Sequence, residues 1–146
     1  MKILEIKNLT YSYKYSREKV LATVSESFEK GKFYAIIGKS GAGKSTLLSL
    51  LAGLDEPDSG KILFNGENIQ ETGYTNHRKN NISLVFQNYN LIDYLSPLEN
   101  IRLVNSQAQQ DILLELGLSE HQIRRNVMKL SGGQQQRVAI ARALVS

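Results

Sequence analysis

The segment GKSGAGKST at residues 38–46 limits the folds open to this chain more than any other feature. It matches the pattern G-x-x-x-x-G-K-[ST], with Gly38, Gly43, Lys44 and Ser45 at the fixed positions. A short apolar run, FYAIIG, precedes it, and a leucine-rich segment, STLLSLLAGL, follows it. Glycines allow a tight turn whose N–H groups point inward, and a helix that begins there adds the positive end of its dipole. The segment is therefore predicted to join a strand to a helix.

The same loop has the chemistry of a phosphate site. Lys44 brings a mobile ammonium to the outer phosphates of a nucleotide, and the Ser45 hydroxyl can coordinate Mg²⁺. The alternative is a glycine-rich turn that only connects two elements, but the fixed positions would match by chance in well under ~1% of chains of this length. Nucleotide binding is therefore preferred. The expected contacts are Gly38, Ser40, Gly41, Ala42, Gly43, Lys44, Ser45 and Thr46.

Composition fits a folded domain but does not select a partner. The 146 residues carry 18 Lys and Arg against 14 Asp and Glu, and the net charge of +4 is compatible with nucleotide, nucleic acid or an anionic membrane. There is no cysteine, which fits a reducing cytoplasm. No stretch approaches the roughly 18 consecutive apolar residues of a membrane-spanning helix, so any membrane role is expected through a partner. His77 and His121 lack metal-ligand spacing, and solvated or structural roles are expected for them.

Local patterns in the first half of the chain predict strands around the loop. ILEIKNL alternates as a half-buried strand does, and EKGK at 29–32 is typical of a turn. The run at 33–37 fits a buried strand or a piece of buried helix, and its length and flanking glycines favour the strand. Asn65-Gly66 between apolar positions predicts a hairpin, and residues 82–86 predict another buried strand.

From residue 88 onward the pattern becomes helical. Ser96-Pro97 is a helix start, and AQQDILLELG is an amphipathic helix that Gly117 would end. Ser131 is expected to cap a last helix that runs through Val138 and Val145. A strand, a glycine loop and a helix followed by a helix-rich segment indicate an α/β fold.

The last part of the chain carries a family resemblance. LSGGQ at 130–134 and the QQQRVAIARAL that continues it resemble the signature motif of ATP-binding cassette (ABC) ATPases. LVFQNYNLI, with Gln87, resembles their Q-loop. Tyr13 occupies the place of the aromatic residue that stacks on adenine, a place that Tyr11 or Tyr15 could also take. AGLDEPDSGKILFNG and VFQNYNL look most like the cassettes of lipoprotein-releasing, macrolide-export and peptide-export systems.

The resemblance implies a P-loop NTPase fold of the ABC ATPase type. It comprises an N-terminal antiparallel β portion, an incomplete parallel core sheet and a helical subdomain. Residues 1–146 would form the N-terminal part of one nucleotide-binding domain, with a β portion and phosphate-loop core at 1–87, a helical subdomain at 88–130 and a signature helix at 131–146. In relatives, further strands, a catalytic glutamate and a switch histidine follow the signature. The sequence is therefore interpreted as part of a longer ATPase, and residues 1–146 alone are expected to be inactive or nearly so.

The resemblance also implies a mechanism and partners. Two cassettes would pair head to tail and hold ATP and Mg²⁺ between the phosphate loop of one and the signature of the other. Lys44 and Gln87 would be catalytic, and Ser45 and Gln87 would hold Mg²⁺. The contacts made in trans would be Ser131, Gly132, Gly133 and Gln134. Residues 88–101 would touch a transmembrane permease, which would place the protein in the cytoplasm at the inner face of the cell membrane.

Three functions stay open at this point. The preferred one is the ATP-binding subunit of an ABC transporter that exports or releases a substrate through a permease. The second is a non-catalytic ATP-binding remnant. The third is a soluble cassette protein that acts on nucleic acid or ribosomes. It is disfavoured because the chain has no coiled-coil insert, paired cassette or basic run, so no nucleic-acid partner is expected.

Overall fold

The computed structural model describes residues 1–146 and divides them into two compact units, Met1–Ile82 and Ser83–Ser146. The first unit contains a four-stranded antiparallel sheet in the order β2-β1-β3-β4. The strands are β1 (Lys2–Ser12), β2 (Lys19–Glu29), β3 (Ser59–Phe64) and β4 (Glu67–Asn68). The antiparallel N-terminal portion expected from the sequence is therefore present.

The central strand β1 buries its apolar side chains in a broken alternation. Ile6, Leu9 and Tyr11 are buried, so one interval is three residues instead of two. The extra residue is Asn8, whose φ of 51° is left-handed and which lies where the pairing with both neighbouring strands shifts register. The irregularity keeps both Ile6 and Leu9 on the core face. The helix α1 (Lys44–Leu51) packs Leu50 and Leu51 into the same core.

The predicted hairpin at Asn65-Gly66 is confirmed. It joins β3 to β4, and the φ values of 49° at Asn65 and 82° at Gly66 are those of a type I′ turn. Two helices that the sequence patterns did not predict follow it, α2 (Ile69–Thr72) and α3 (Tyr74–Asn80). His77 on α3 is fully buried, and its Nε2 atom forms a hydrogen bond of 2.8 Å with the carbonyl oxygen of Leu51. His77 therefore has a structural role.

The second unit is helical. It comprises α4 (Pro97–Arg102), α5 (Asp111–Glu115), α6 (Glu120–Ile123), a 3-10 turn at Val127–Lys129 and α7 (Gly132–Leu144). Three of these helices begin with a capping box, in which a serine side chain accepts from the third residue's N–H and that residue's side chain accepts from the serine N–H. The helix starts predicted at Ser96-Pro97 and Ser131 are confirmed. None of the helices is both long and apolar enough to cross a bilayer.

Two predicted strands are wrong for this structure. Residues 33–37 and 82–86 belong to no sheet, and the side chains of Phe33 and Ile37 are 97% and 90% exposed. A strand needs a hydrogen-bonded neighbour, and neither run has one among the 146 residues. Apolarity in a short run indicates burial in a sheet but does not supply the strand that would pair with it. The parallel core sheet implied by the resemblance is consequently not formed here.

Candidate nucleotide-binding site

The loop at 38–43 is held against the antiparallel sheet by Gly43. This glycine is the residue that precedes α1, and its φ of 91° is left-handed. A Cβ atom at Gly43 would lie 3.0 Å from Cγ1 and 3.2 Å from the carbonyl oxygen of Val20. Glycine is therefore required here for two reasons, the backbone conformation and the close approach of β2. The fixed glycine of the motif thus sets the place where α1 begins.

The Lys44 side chain folds back over the loop from the first turn of α1. Its ammonium donates to the carbonyl oxygens of Gly38 and Lys39, the latter at 3.0 Å. Ser40, Gly41, Ala42 and Ser45 are exposed, so the loop backbone and the Ser45 hydroxyl are accessible. The first N–H groups of a helix have no intrahelical acceptor, and together with a lysine they form a site suited to phosphate. These residues can therefore hold a polyphosphate chain.

Three tyrosines near this loop have different environments. The Tyr13 ring is 55% exposed, and its hydroxyl lies 2.7 Å from Oγ1 of Thr46 in the first turn of α1. Tyr15 is 96% exposed. Tyr11 is buried, and its ring meets that of Tyr13 edge to face at a centroid distance of 5.6 Å. Of the three, Tyr13 is the one that combines an accessible ring with a hydrogen bond to the phosphate-loop helix.

Tyr11 is held in place by an acidic residue that follows α1. Its hydroxyl donates to Oδ2 of Asp55 at 2.6 Å. This hydrogen bond, together with burial and the negative charge of Asp55, raises the pKa of Tyr11 to about 12. Asp58 accepts from both the N–H and the hydroxyl of Ser12 at 2.8 Å. The end of β1, and with it the start of the segment that carries Tyr13, is therefore fixed from the 55–58 side.

In the second unit, Gln87 is exposed and lies in a turn. The turn is closed by a hydrogen bond of 3.1 Å from the N–H of Tyr89 to the carbonyl oxygen of Phe86. The guanidinium of Arg142 on α7 donates to the carbonyl oxygens of Tyr89, at 2.9 Å, and Asn90, at 2.6 Å. Burial lowers the pKa of Arg142, because the charge is partly removed from water. The turn that presents Gln87 is thus attached to α7.

The signature residues form the first turn of α7. Ser131 Oγ accepts from the N–H of Gln134 at 3.2 Å, and Gln134 Oε1 accepts from the N–H of Ser131 at 3.0 Å. Gly132 and Gly133 are exposed, and nothing lies within 4 Å of a Cβ added at Gly133. Their N–H groups are the free donors of a helix start, where an anion is stabilised. The turn can therefore receive a phosphate group.

Two further polar residues of this unit were missed from the sequence. Asn100 is fully buried, accepts from the N–H of Ile92 and donates to the carbonyl oxygens of Ile92 and Ser96. The sequence pattern places Arg142 in the last predicted helix but indicates no function for it. A signal existed for Arg142, because it lies four residues after Val138 and three before Val145, on the face that packs inward. A polar residue on such a face requires partners.

Comparison with known proteins shows the family. Residues 21–146 match the model of the ABC transporter family. The chain belongs to this family as an ATP-binding cassette with a P-loop NTPase fold, so the resemblance stated from the sequence is confirmed. The dimeric structure of MJ0796, a bacterial ABC transporter cassette, superposes with a TM-score of 0.86 at 35% identity and covers 98% of this chain and 69% of that chain.

Curated relatives give the same result. The chain is 42% identical over 153 residues to the uncharacterised ABC transporter ATP-binding protein YclH of Bacillus subtilis, which covers 98% of this chain and 68% of YclH. It is 39% identical to the macrolide export ATP-binding/permease protein MacB of Hyphomonas neptunium, over 99% of this chain and 24% of MacB. It spans 61% and 63% of the length of two other relatives. The matched region is thus about two thirds of a separate cassette protein.

Proposed function

We propose that this chain supplies the ATP-binding surface of a transporter subunit that couples ATP binding and hydrolysis to export or release of a substrate through a membrane permease. The observation that carries the proposal is the hydrogen bond between Tyr13 and Thr46. It joins an exposed aromatic ring, suited to an adenine base, to the helix that follows a lysine-bearing glycine loop. Base and phosphates can therefore be bound along one continuous surface.

Each residue of that surface would bind a different part of the nucleotide. Lys44 offsets phosphate charge, the N–H groups of the loop and of the first turn of α1 donate to phosphate oxygens, and Tyr13 covers one face of the base. Ser45 and Gln87 are both exposed, and each by itself offers a hard oxygen ligand of the kind Mg²⁺ prefers, so the chemistry of each residue fits the ion. When bound, Mg²⁺ offsets the charge of the phosphate oxygens.

The partners are a second cassette and a permease. MJ0796 is dimeric, which supports a head-to-tail pair in which Ser131 and the following glycine N–H groups act on the nucleotide of the other copy. MacB, as named, unites a cassette with an export permease, which supports a permease partner and the export direction. We assign the permease contact to residues 88–101. The protein would then act from the cytoplasm at the inner face of the membrane.

Activity is proposed for the complete cassette, by which we mean the protein as the cell makes it, with any residues outside 1–146. A related structure of MJ0796 holds ADP and phosphate after hydrolysis. The alternative is a non-catalytic ATP-binding protein, in which case the same loop would bind ATP without turnover. The two candidates make the same prediction for binding and opposite predictions for phosphate release.

The binding experiment compares two lysines of one loop. Lys44→Ala should weaken the affinity for a fluorescent ATP analogue by roughly tenfold or more, because its ammonium meets the phosphates and no other cation replaces it. Lys39→Ala, on the same loop with the same change of charge, should alter the affinity by less than about threefold, since an exposed charge is well screened. Equal affinities for both variants and the parent chain would contradict an ATP site at this loop.

The turnover experiment separates the enzyme from the remnant. Phosphate release by the complete cassette should depend on ATP and disappear with Lys44→Ala. ATP binding without any release, in the presence of the permease, would favour the non-catalytic protein. Absence of binding would reject both candidates.

A further inference from the structure

Arg142 binds the turn that follows Gln87 through two successive carbonyl oxygens. One guanidinium donates to Tyr89 at 2.9 Å and to Asn90 at 2.6 Å. Arginine can do this because its N–H groups form a rigid planar fork, whereas a lysine ammonium is a single point of charge. The contact therefore fixes the orientation of the backbone as well as its distance from α7.

The backbone held in this way is in an unfavourable conformation. Tyr89 and Asn90 have φ values of 63° and 53°, so two consecutive residues other than glycine are left-handed. Asparagine tolerates this region, but tyrosine adopts it rarely. Conformations of this kind persist only where the surroundings hold them, and they are concentrated at functional sites. The two hydrogen bonds from the Arg142 guanidinium to the carbonyl oxygens of Tyr89 and Asn90 hold this conformation.

The Tyr89 side chain reaches the other end of α7. Its hydroxyl lies 3.3 Å from the place that a Cβ on Gly132 would occupy. Gly132 and Arg142 are ten residues apart, which is about 15 Å along a helix axis. The Arg142 side chain leans toward the N-terminus of α7, and the Tyr89 side chain covers the rest of the distance to Gly132. The Tyr89 hydroxyl thus lies beside the first turn of α7, while the Tyr89 carbonyl oxygen accepts from Arg142 near the last turn.

We propose that Arg142 and Tyr89 are positioning residues that fix Gln87 relative to the signature turn. Arg142 holds residues 89–90 in their left-handed conformation, and the Tyr89 side chain, which lies beside Gly132, fixes the position of that turn relative to the start of α7. This inference rests on the proposed function, since it concerns the nucleotide role of Gln87 and of the signature. Neither residue needs to touch the nucleotide, and their effect is exerted through Gln87 and Ser131.

The consequence is a selective loss of rate. Without the two hydrogen bonds from Arg142, residues 89–90 can relax to ordinary right-handed or extended conformations, and Gln87 moves with them. Small displacements of a catalytic group lower the rate strongly, while the phosphate loop belongs to the other unit and keeps its own contacts. The maximal rate should therefore fall much more than the apparent affinity for ATP.

The experiment uses three forms of the complete cassette: the parent, Arg142→Gln and Arg137→Gln. Arg137 is the control, because it is an exposed arginine on the same helix and the change of charge is identical. Arg142→Gln should lower kcat by about tenfold or more with KM for ATP changed by less than about threefold, and Arg137→Gln should leave kcat within about twofold.

A second readout does not depend on turnover. Hydrogen exchange of the amides in 86–91 should be faster in Arg142→Gln than in Arg137→Gln and in the parent. If Arg142→Gln does not fold, Arg142→Lys serves in its place, since it keeps the charge but cannot bond both carbonyls. Parent-like kcat and exchange in the Arg142 variant would overturn the inference while the proposed function stands. A parent cassette that neither binds nor hydrolyses ATP would reject the proposed function, and the exchange comparison would still decide whether Arg142 orders the turn.

Discussion

Gly60 shows how strongly a single position can be constrained in the first unit. It lies in β3 with φ 83°, opposite the irregular stretch of β1. A Cβ here would lie 2.2 Å from the carbonyl oxygen of Asn8 and 2.6 Å from that of Lys7. Both atoms belong to the backbone of the central strand and cannot move without breaking its pairing. Glycine is therefore required at this crossing of the two strands.

We predict that Gly60→Ala lowers the free energy of unfolding by more than about 3 kcal/mol, because overpacking is added to left-handed strain. Gly66→Ala is the matched control. Its φ is 82° and nothing lies within 4 Å of the added Cβ, so only the strain of about 1 to 2 kcal/mol remains. Urea unfolding of the two variants measures the difference, and equal losses would contradict a steric conflict between a residue 60 side chain and the backbone of Asn8.

The Tyr11–Asp55 hydrogen bond gives a prediction that depends on pH. Tyr11→Phe should cost about 1 to 2 kcal/mol at neutral pH, since it removes the hydroxyl and leaves Asp55 without its donor. The folded-state pKa of Tyr11, about 12, lies above the ordinary value of 10.0. The contribution of the protonated Tyr11 hydroxyl to the free energy of unfolding is therefore fully present below pH 10, and it is lost as the pH rises toward 12. The difference in stability between parent and variant, measured from pH 7 to 11.5, should stay constant and then shrink.

At the level of helices and strands, local chemistry accounts for most of what the sequence predicted. Capping serines, the Asn65-Gly66 turn and the glycine loop act over a few residues, and each was found where the pattern indicated. The runs at 33–37 and 82–86 failed for the opposite reason, because a strand is defined by a partner that is distant in the sequence. The residues of the candidate site fall into the same two groups, those set by local patterns and those set by tertiary contacts. The loop and the signature could be predicted, but the Tyr13–Thr46 bond and the Arg142 fork depend on tertiary contacts that no local pattern contains.

Asn100 lies on α4, in the segment proposed to contact the permease, and its substitution tests how this segment is held in place. Its buried amide makes three hydrogen bonds that tie α4 to the chain at 92–96. Asn100→Ala should therefore lower the free energy of unfolding by about 2 kcal/mol or more, because it removes a fully buried amide and leaves the partly buried N–H and carbonyl groups of Ile92 without partners. Asn80→Ala, which removes an exposed amide on α3, should change stability by less than about 0.5 kcal/mol. A thermal melt in which both variants match the parent would show that the 92–96 segment is held by packing alone.

At the level of the assembled molecule, the signature turn provides a test of action between copies. Ser131→Arg in the complete cassette should leave ATP binding by a single copy within about threefold of the parent and suppress hydrolysis. The reason is that Ser131 caps α7 in its own chain but is proposed to contact the nucleotide of the other. The control is Ser119→Arg, which changes the capping serine of α6 in the same unit. Loss of nucleotide binding by the isolated Ser131→Arg monomer would refute the in-trans assignment.

The last prediction concerns residues 1–146 as a protein by themselves. They offer Lys44, Ser45, Gln87 and the signature turn, but phosphoryl transfer also needs a group that positions the attacking water, and the family resemblance implies that a glutamate following the signature has this role. Losing a group that stabilises the transition state typically lowers the rate by about a hundredfold or more. The exposed apolar side chains at 33–37 also favour association. We therefore expect nucleotide binding that depends on Lys44 but phosphate release close to that of the Lys44→Ala control. The test is to purify 1–146, determine its oligomeric state and measure both quantities. Turnover near one per second that vanishes in the control would show that these residues contain a complete catalytic site.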